Sequence, residues 1–383
     1  MMNWLTVKRI TILLLFSGLV LSCKSEEFDL PSKEEVKTVI IKVNDNWQKQ
    51  HPEHGRAFWD NAAYHTGNIA AYEITGIDRY LDYSEAWAVK NDWKGATSDD
   101  KAAWKYHYGE TNDHVLFGDW QICFQTYIDL FNLTEPKDSS KIARAREVME
   151  YEMSTDRNDY WWWADGLYMV MPVMTKLYNV TGNEQYLDKL YEYFKYAQSI
   201  MYDDETGLFY RDAKYVYPRH KSLNGKKDFW ARGDGWVFAG LAKIIQDMPD
   251  AYVHKTEFIK IYKRMAATLI AAQQPEGYWT RSILDSEHAP GPETSGTAFY
   301  TFALFWGMNH GILSDDDYLP AALNAWKYLT TTAIDENGRV GYVQPIGERA
   351  IPGQIVNENS TSNFGVGAVL LAASEVYRFV NNK

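Results

Sequence analysis

Apolar residues recur at helical spacing along nearly the whole chain beyond residue 33. From Glu34 to Gln50 they fall at Val36, Ile40, Ile41, Val43 and Trp47, one face of a helix. Trp59-Asp-Asn-Ala-Ala-Tyr64-His65-Thr-Gly67 opens a second helix that continues through Ile69, Ala70, Tyr72 and Ile74. Thr75-Gly-Ile-Asp78 ends it and caps a third, which runs towards Val89. Further on, apolar segments alternate with amphipathic ones. Ile122 to Leu133 precedes Asp138 to Met153, and a run entered at Asp165 precedes Asn183 to Met201. Leu241 to Met248 precedes Tyr252 to Gln273, Phe299 to Asn309 precedes Asp315 to Thr332, and Gly365 to Val380 closes the chain.

The junctions between these helices repeat. Leu130-Phe-Asn-Leu-Thr134-Glu and Leu177-Tyr-Asn-Val-Thr181-Gly are near copies, and Thr75-Gly76 has the same place in its pair. On the return side, Glu205-Thr-Gly207-Leu-Phe-Tyr-Arg, Glu276-Gly277-Tyr-Trp-Thr-Arg and Glu336-Asn-Gly338-Arg-Val-Gly-Tyr are turns leading into short extended pieces. A recurring supersecondary unit indicates a repeat architecture. About six helix pairs, each with one short and one long connection, predict an all-α (α/α)6 barrel in one domain, residues 34–383. An open helical solenoid is the alternative, but its repeats are shorter and its loops less aromatic. Nothing alternates strand with helix in the manner of a parallel sheet.

The first residues read as a targeting segment. Lys8-Arg9 precede the apolar run Ile10 to Leu21, which is too short to span a bilayer and has the order of a secretory leader. It ends at Val20-Leu-Ser-Cys23, which resembles a bacterial lipoprotein cleavage box. Residues 1–22 are therefore expected to be a signal peptide, Cys23 a lipidated N-terminus and residues 23–33 a tether. The expected location is the periplasm or cell surface, anchored to an outer membrane. Of the two cysteines in 383 residues, lipidation of Cys23 leaves only Cys123, so neither a disulfide nor a thiolate zinc site is expected. The net charge of -12 argues against nucleic acid or an anionic membrane surface as partner. Aromatic residues make up 15% of the chain, 15 of them Trp, and many sit beside polar loop residues, which points to carbohydrate.

Three connections offer chemistry. Tyr160-Trp-Trp-Trp163-Ala-Asp165-Gly-Leu-Tyr168 places a carboxylate among indoles at a helix start, where desolvation favours its neutral acid form. The alternative is an acid that merely favours the helix N-terminus. Leu116-Phe-Gly-Asp119-Trp-Gln121 puts a second carboxylate ahead of the neighbouring helix, either as a cap or facing the same ligand. Phe229-Trp230-Ala-Arg232-Gly-Asp-Gly235-Trp236 sets an Arg between indoles, suited to a carboxylate or to a cation–π contact. His65, with Tyr64, is assigned to a rim loop as a further substrate contact; His114, His220 and His288 are scattered. No HExxH, HxH, Walker or dinucleotide fingerprint occurs, so no metal and no cofactor are expected.

Taken with Pro292-Glu-Thr-Ser-Gly-Thr297, these words resemble glycoside hydrolase family 105, the unsaturated rhamnogalacturonyl hydrolases, related to the family 88 unsaturated glucuronyl hydrolases. The resemblance runs from about Trp59 to Tyr377. It implies the same barrel, no metal, and removal of a 4,5-unsaturated uronic acid from the non-reducing end of lyase-generated oligosaccharides. It also implies Asp165 as catalytic acid/base and Asp119 as its assisting carboxylate. Trp163, Trp230, Arg232 and Trp236 would surround the uronate. Asp234 stands where the family usually has Asn, and Phe209-Tyr-Arg-Asp212 stands where it often has a catalytic-site His. A glycan-binding lipoprotein, and a polysaccharide lyase or epimerase on the same barrel, are the competing readings. The parent polysaccharide is left open among rhamnogalacturonan, ulvan, arabinogalactan side chains and glycosaminoglycan fragments.

Overall fold

In the computed structural model, residues 29–383 are described, so the leader and Cys23 lie outside them. Among the described residues, twelve α-helices form six consecutive hairpins. They are α1 (Lys33–Gln50) with α2 (Trp59–Thr75), α3 (Asp78–Lys90) with α4 (Cys123–Leu133), and α5 (Ala143–Met153) with α6 (Ala164–Thr181). The second half adds α7 (Gln185–Met201) with α8 (Ala231–Asp247), α9 (Lys255–Ala271) with α10 (Thr294–Asn309), and α11 (Asp315–Tyr328) with α12 (Asn363–Asn381). Each even-numbered helix packs on the next, and α12 returns to pack on α2, closing an inner ring. The odd-numbered helices lie outside it.

Side-chain pattern decides which ring a helix joins. In α7 only one stripe is buried, including Tyr186, Leu190, Tyr193, Phe194 and Ala197, and the rest meets water. In α10 every residue from Thr294 to Met308 is buried, as befits a helix with neighbours on both sides. The expected barrel is thus the observed one, and among the described residues only isolated bridges, no strands, occur.

The repeated junctions have repeated structure. Thr75, Thr134 and Thr181 each donate their hydroxyl to the carbonyl four residues back, at 2.7 Å, in the last turn of an inner helix. Gly207, Gly277 and Gly338 all have left-handed φ, at 77°, 96° and 89°. A Cβ on them would collide with Arg264 of α9, the backbone of Asn324 in α11 and the backbone of Lys42 in α1, respectively. Each of these glycine turns therefore seats one outer helix against the next.

Several boundaries differ from expectation. α8 and α10 begin at Ala231 and Thr294, ahead of Leu241 and Phe299, because glycines inside their first turns hide the helical pattern. Those glycines are required by close packing: a Cβ on Gly235 would lie 3.3 Å from Gly296 Cα and 3.2 Å from Phe299 Cβ. At the start of the barrel, Ser32 caps α1 in a capping box with Glu35, and Leu30 packs on the core. The ordered domain thus includes the last residues assigned to the tether.

Candidate active site

All inner helices run in one direction, and a cavity of about 460 Å³ opens at their N-terminal ends. Trp59 and Asp60 come from the start of α2, Asp119 from the turn before α4, and Asp165 from the first turn of α6. Trp162, Trp163, Met169 and Arg211 complete its floor and one wall.

A backbone rule places the side chains. The first N–H of α6, on Ala164, donates to the Arg211 carbonyl at 2.7 Å, and Trp163 forms a bridge with Asp212. Ala231 of α8 repeats this with the Arg281 carbonyl at 2.9 Å, and Thr294 of α10 with Tyr342 at 2.9 Å. Each extended piece after a glycine turn is thereby stitched to the start of a preceding inner helix. For α6 the stitch carries Arg211 to Asp165.

Arg211 Nε and Asp165 Oδ2 stand 3.6 Å apart, too far for a good hydrogen bond, and neither has a partner. Two unsatisfied buried polar atoms facing one cavity mark a place where a ligand completes the bonding. The Arg211 guanidinium is held by Asp212 at 2.7 Å and lies 5.7 Å from the Trp162 ring centroid. Trp162 packs on Trp163 at 4.7 Å, and Phe117 backs Trp163 at 4.9 Å.

Burial raises the pKa of Asp165, while Arg211 and then Arg232 pull it back. Asp119 is pushed well above the usual carboxylate range, first by burial and then by the charge of Asp165. Two carboxyl groups in one water-poor cavity do not both ionise readily, so the pair retains a proton. The guanidinium beside Asp165 opposes the rise there, whereas at Asp119 burial and the neighbouring charge both push upward.

The cavity unites Asp119, Asp165 and Trp163 from the expected set. Arg232 is not among its lining residues. Fully buried, it donates to the carbonyls of Gln344 at 2.7 Å and Pro345 at 2.9 Å, which occupies its guanidinium with main chain. Trp230 donates its indole N–H to Gln344 Oε1 at 2.8 Å, and Glu293 accepts the Gln344 N–H at 3.1 Å. Together they clamp the segment that delivers Ile346, Gly347 and Glu348 to the cavity. Trp236 lies in the second turn of α8, packed on Phe299 at 4.4 Å and Tyr168 at 4.8 Å. Trp230, Arg232 and Trp236 therefore form a layer behind the cavity wall.

Tyr64 and His65 require a larger correction. Both sit inside α2, beyond its first turn, and turn towards α1 and α3. Tyr64 donates to Asn44 at 2.5 Å; His65 bonds Ser84 at 2.9 Å and stacks on Trp87 at 3.9 Å. The rim on this side is supplied by Arg56, Phe58, Trp59 and Asp60. Sequence reading missed Arg211, Trp162 and Trp59 as cavity residues. The signal for Arg211 was the repeat itself, since Arg281 ends the equivalent piece after Gly277.

The profile of Glycosyl Hydrolase Family 88 matches residues 32–380. The chain belongs to glycoside hydrolase family 88. Within this family setting, it is 34% identical over 360 residues to an unsaturated 3S-rhamnoglycuronyl hydrolase of Formosa agariphila, covering 90% of this chain and 91% of that protein. A family 88 structure from Bacteroides vulgatus is 56% identical with TM-score 0.89, covering 91% of this chain and all (100%) of the other. A solved polysaccharide lyase is 66% identical with TM-score 0.90, covering 92% of this chain and 99% of that one. Structures of a family 105 glycoside hydrolase and of a possible family 105 member share the fold at lower identity. Among the described residues of this family 88 chain, no three His, Cys, Asp or Glu side chains converge as a metal-binding group.

Proposed function

We propose that this family 88 protein removes a 4,5-unsaturated uronic acid from the non-reducing end of oligosaccharides by hydrating the C4=C5 double bond. The observation that carries the reading is the unpartnered pair Asp165 Oδ2 and Arg211 Nε, set beside a second carboxyl, Asp119, in one indole-walled cavity. The name of the Formosa agariphila relative supports it.

In this mechanism Arg211 holds the C5 carboxylate, and the flattened ring lies against Trp162 and Trp163. Engaging Arg211 with the substrate carboxylate loosens its hold on Asp165, whose pKa then rises towards the value that burial alone favours. Asp165 delivers a proton to C4 while a water adds its oxygen to C5 and yields its proton to the carboxylate of the pair. The hemiketal formed at C5 opens to a ketone and leaves a C1 hemiacetal that releases the saccharide. Because the attack is at C5, the carboxylate-separation rule for ordinary glycosidases does not apply. General acid catalysis contributes about 10²- to 10⁴-fold, so Asp165→Asn is expected to lose that much turnover and still bind ligand. The measurement is loss of the conjugated double-bond absorbance from a lyase-generated oligosaccharide; near-normal loss by the variant would sink the assignment.

A second reading rests on the 66% identical polysaccharide lyase and on Phe209-Tyr-Arg-Asp212 standing on the loop where family 105 often has a catalytic-site His. With Arg211 neutralising an intact uronate, anionic Asp165 would remove the C5 proton, the C4–O bond would break, and protonated Asp119 would supply the leaving oxygen. The same assay decides: absorbance falls on unsaturated substrates for the hydrolase and rises on intact glycan for the lyase. The basic-then-apolar leader ending at Cys23 supports export and lipid anchoring, at the periplasm or cell surface.

A further inference from the structure

A second cavity, of about 420 Å³, lies between the C-terminal halves of the six inner helices, and its volume is within the range of small-ligand sites. Its charged side chains come from α2 (Glu73), α4 (Asp129), α6 (Lys176), α8 (Lys243 and Asp247) and α12 (Glu375 and Arg378). The carboxyl groups are all engaged. Asp129 accepts from Lys176 at 2.5 Å, and Glu73 and Glu375 both pair with Arg378, at 2.7 and 2.6 Å. Asp247 accepts the Thr175 hydroxyl at 3.0 Å.

Lys243 is left over. It stands one turn before Asp247 on α8, yet among the described residues it has neither a hydrogen-bond acceptor nor a carboxylate within ion-pair distance. Its ammonium has the Tyr168 ring, 5.6 Å from the centroid, as its neighbour. Burial, and then the charge of Lys176, bring it down to about 8. At pH 7 about one such amine in ten is unprotonated, against fewer than about one in a thousand for an ordinary lysine. A desolvated lysine beside another cation is the form in which this side chain acts as a nucleophile towards carbonyl compounds. Converging C-terminal carbonyls explain why cations gather here, but they do not require one of them to lack a partner.

We propose that this cavity is a Schiff-base site in which Lys243 condenses with a small uncharged hydroxyaldehyde, the open-chain form of a sugar fragment. The lone pair of the free amine forms a bond to the carbonyl carbon as the π pair moves to oxygen. Both amine protons and that oxygen then leave as one water, and a C=N bond remains; no oxidant or reductant enters. Asp247, whose carboxyl burial raises, is placed one turn away to pass the protons. The ligand is uncharged because four acids face three bases in the lining, and the helix C-termini add partial negative charge. The site is independent of the reaction proposed for the other end of the barrel.

The test incubates the intact protein with D-glyceraldehyde and cyanoborohydride, which reduces an imine to a stable amine, and quantifies the lysine-containing peptides by mass spectrometry. At pH 7 Lys243 is expected to take label at least about tenfold faster than the exposed Lys49 and Lys260. Raising the pH to 10 should shrink that lead, because ordinary lysines then lose their protons too. The Lys243 rate should saturate with aldehyde concentration, as occupancy of a cavity requires, while the exposed lysines respond linearly. Glyoxylate, an aldehyde that carries a carboxylate, should give Lys243 a smaller lead than glyceraldehyde does. Labelling of Lys243 no faster than that of Lys49 and Lys260 overturns the proposal. So does a lead that is constant with pH, a rate that never saturates, or an equal or larger lead with glyoxylate.

Discussion

Asp234 accepts the Phe209 N–H at 2.8 Å, and complete burial pushes its carboxyl well above the usual range, so it stays a neutral acid. A neutral carboxyl offers the same acceptor oxygen as the Asn usual in family 105, which accounts for the departure. Its bond fixes the piece that carries Arg211, linking a buried residue to the chemistry two positions along. Glu152 is a second buried acid, raised from 4.5 to about 8 by burial, with Gln121 donating to one oxygen and the other oxygen unpartnered. The unfolded chain loses this proton near pH 4.5 and the folded chain near 8, so stability from this group falls as pH rises through that window and then levels. Glu152→Gln should therefore gain stability over the parent as pH rises from 5 to 8, by about 2–4 kcal/mol at the upper end. Denaturant melts at both pH values check it; an equal difference at both would remove the titration from the explanation.

At the scale of elements, close approach of helices is the controlling feature. A Cβ on Gly67 of α2 would land on the Gly367 carbonyl of α12, and one on Gly367 would land on the Ala63 carbonyl. Gly67→Ala is expected to cost about 2–3 kcal/mol through forced separation of the two helices. A thermal melt reads it as a fall of several degrees, and an unchanged Tm would show that the seam can yield. The same glycines explain what could be read before the structure was known. α7 and α9 announce themselves by one-sided patterns, and Thr134 and Thr181 by near-identical surroundings. The starts of α8 and α10 do not, because Gly235 and Gly296 look like loop and are in fact the small residues that let these two inner helices touch. Asp119, Asp165 and Trp163 were legible as cavity residues because they stand before or within the first turn of strong helices. The backbone bonds of Arg232 were not legible, because a buried Arg between indoles looks the same whether it faces a ligand carboxylate or two carbonyls. Tyr64 and His65 were misread because nothing local says how far into α2 the rim ends.

Across the whole molecule the inner helices run parallel, so that the starts of α2, α4 and α6 face one cavity and the C-terminal halves of all six meet another. The N-terminal ends carry partial positive charge, so an acidic chain of net charge -12 still offers a favourable place for an anionic sugar. The opposite ends meet a cavity of about 420 Å³ lined by Lys176, Lys243 and Arg378 among acids, the cations expected beside converging C-termini. Burial lowers Lys243 to about 8, while Asp129 binds Lys176. The ring that creates both ends is closed only where α12 meets α2. Stopping the chain before Asn363 leaves the buried flanks of α2 and α10 open to water, and such a chain should precipitate or bind a hydrophobic dye; a soluble, cooperative melt would contradict this. The seam therefore joins the second and the twelfth of the described helices. Until α12 has been synthesised, the nascent polypeptide can assemble hairpins but cannot close the ring that frames the catalytic pocket.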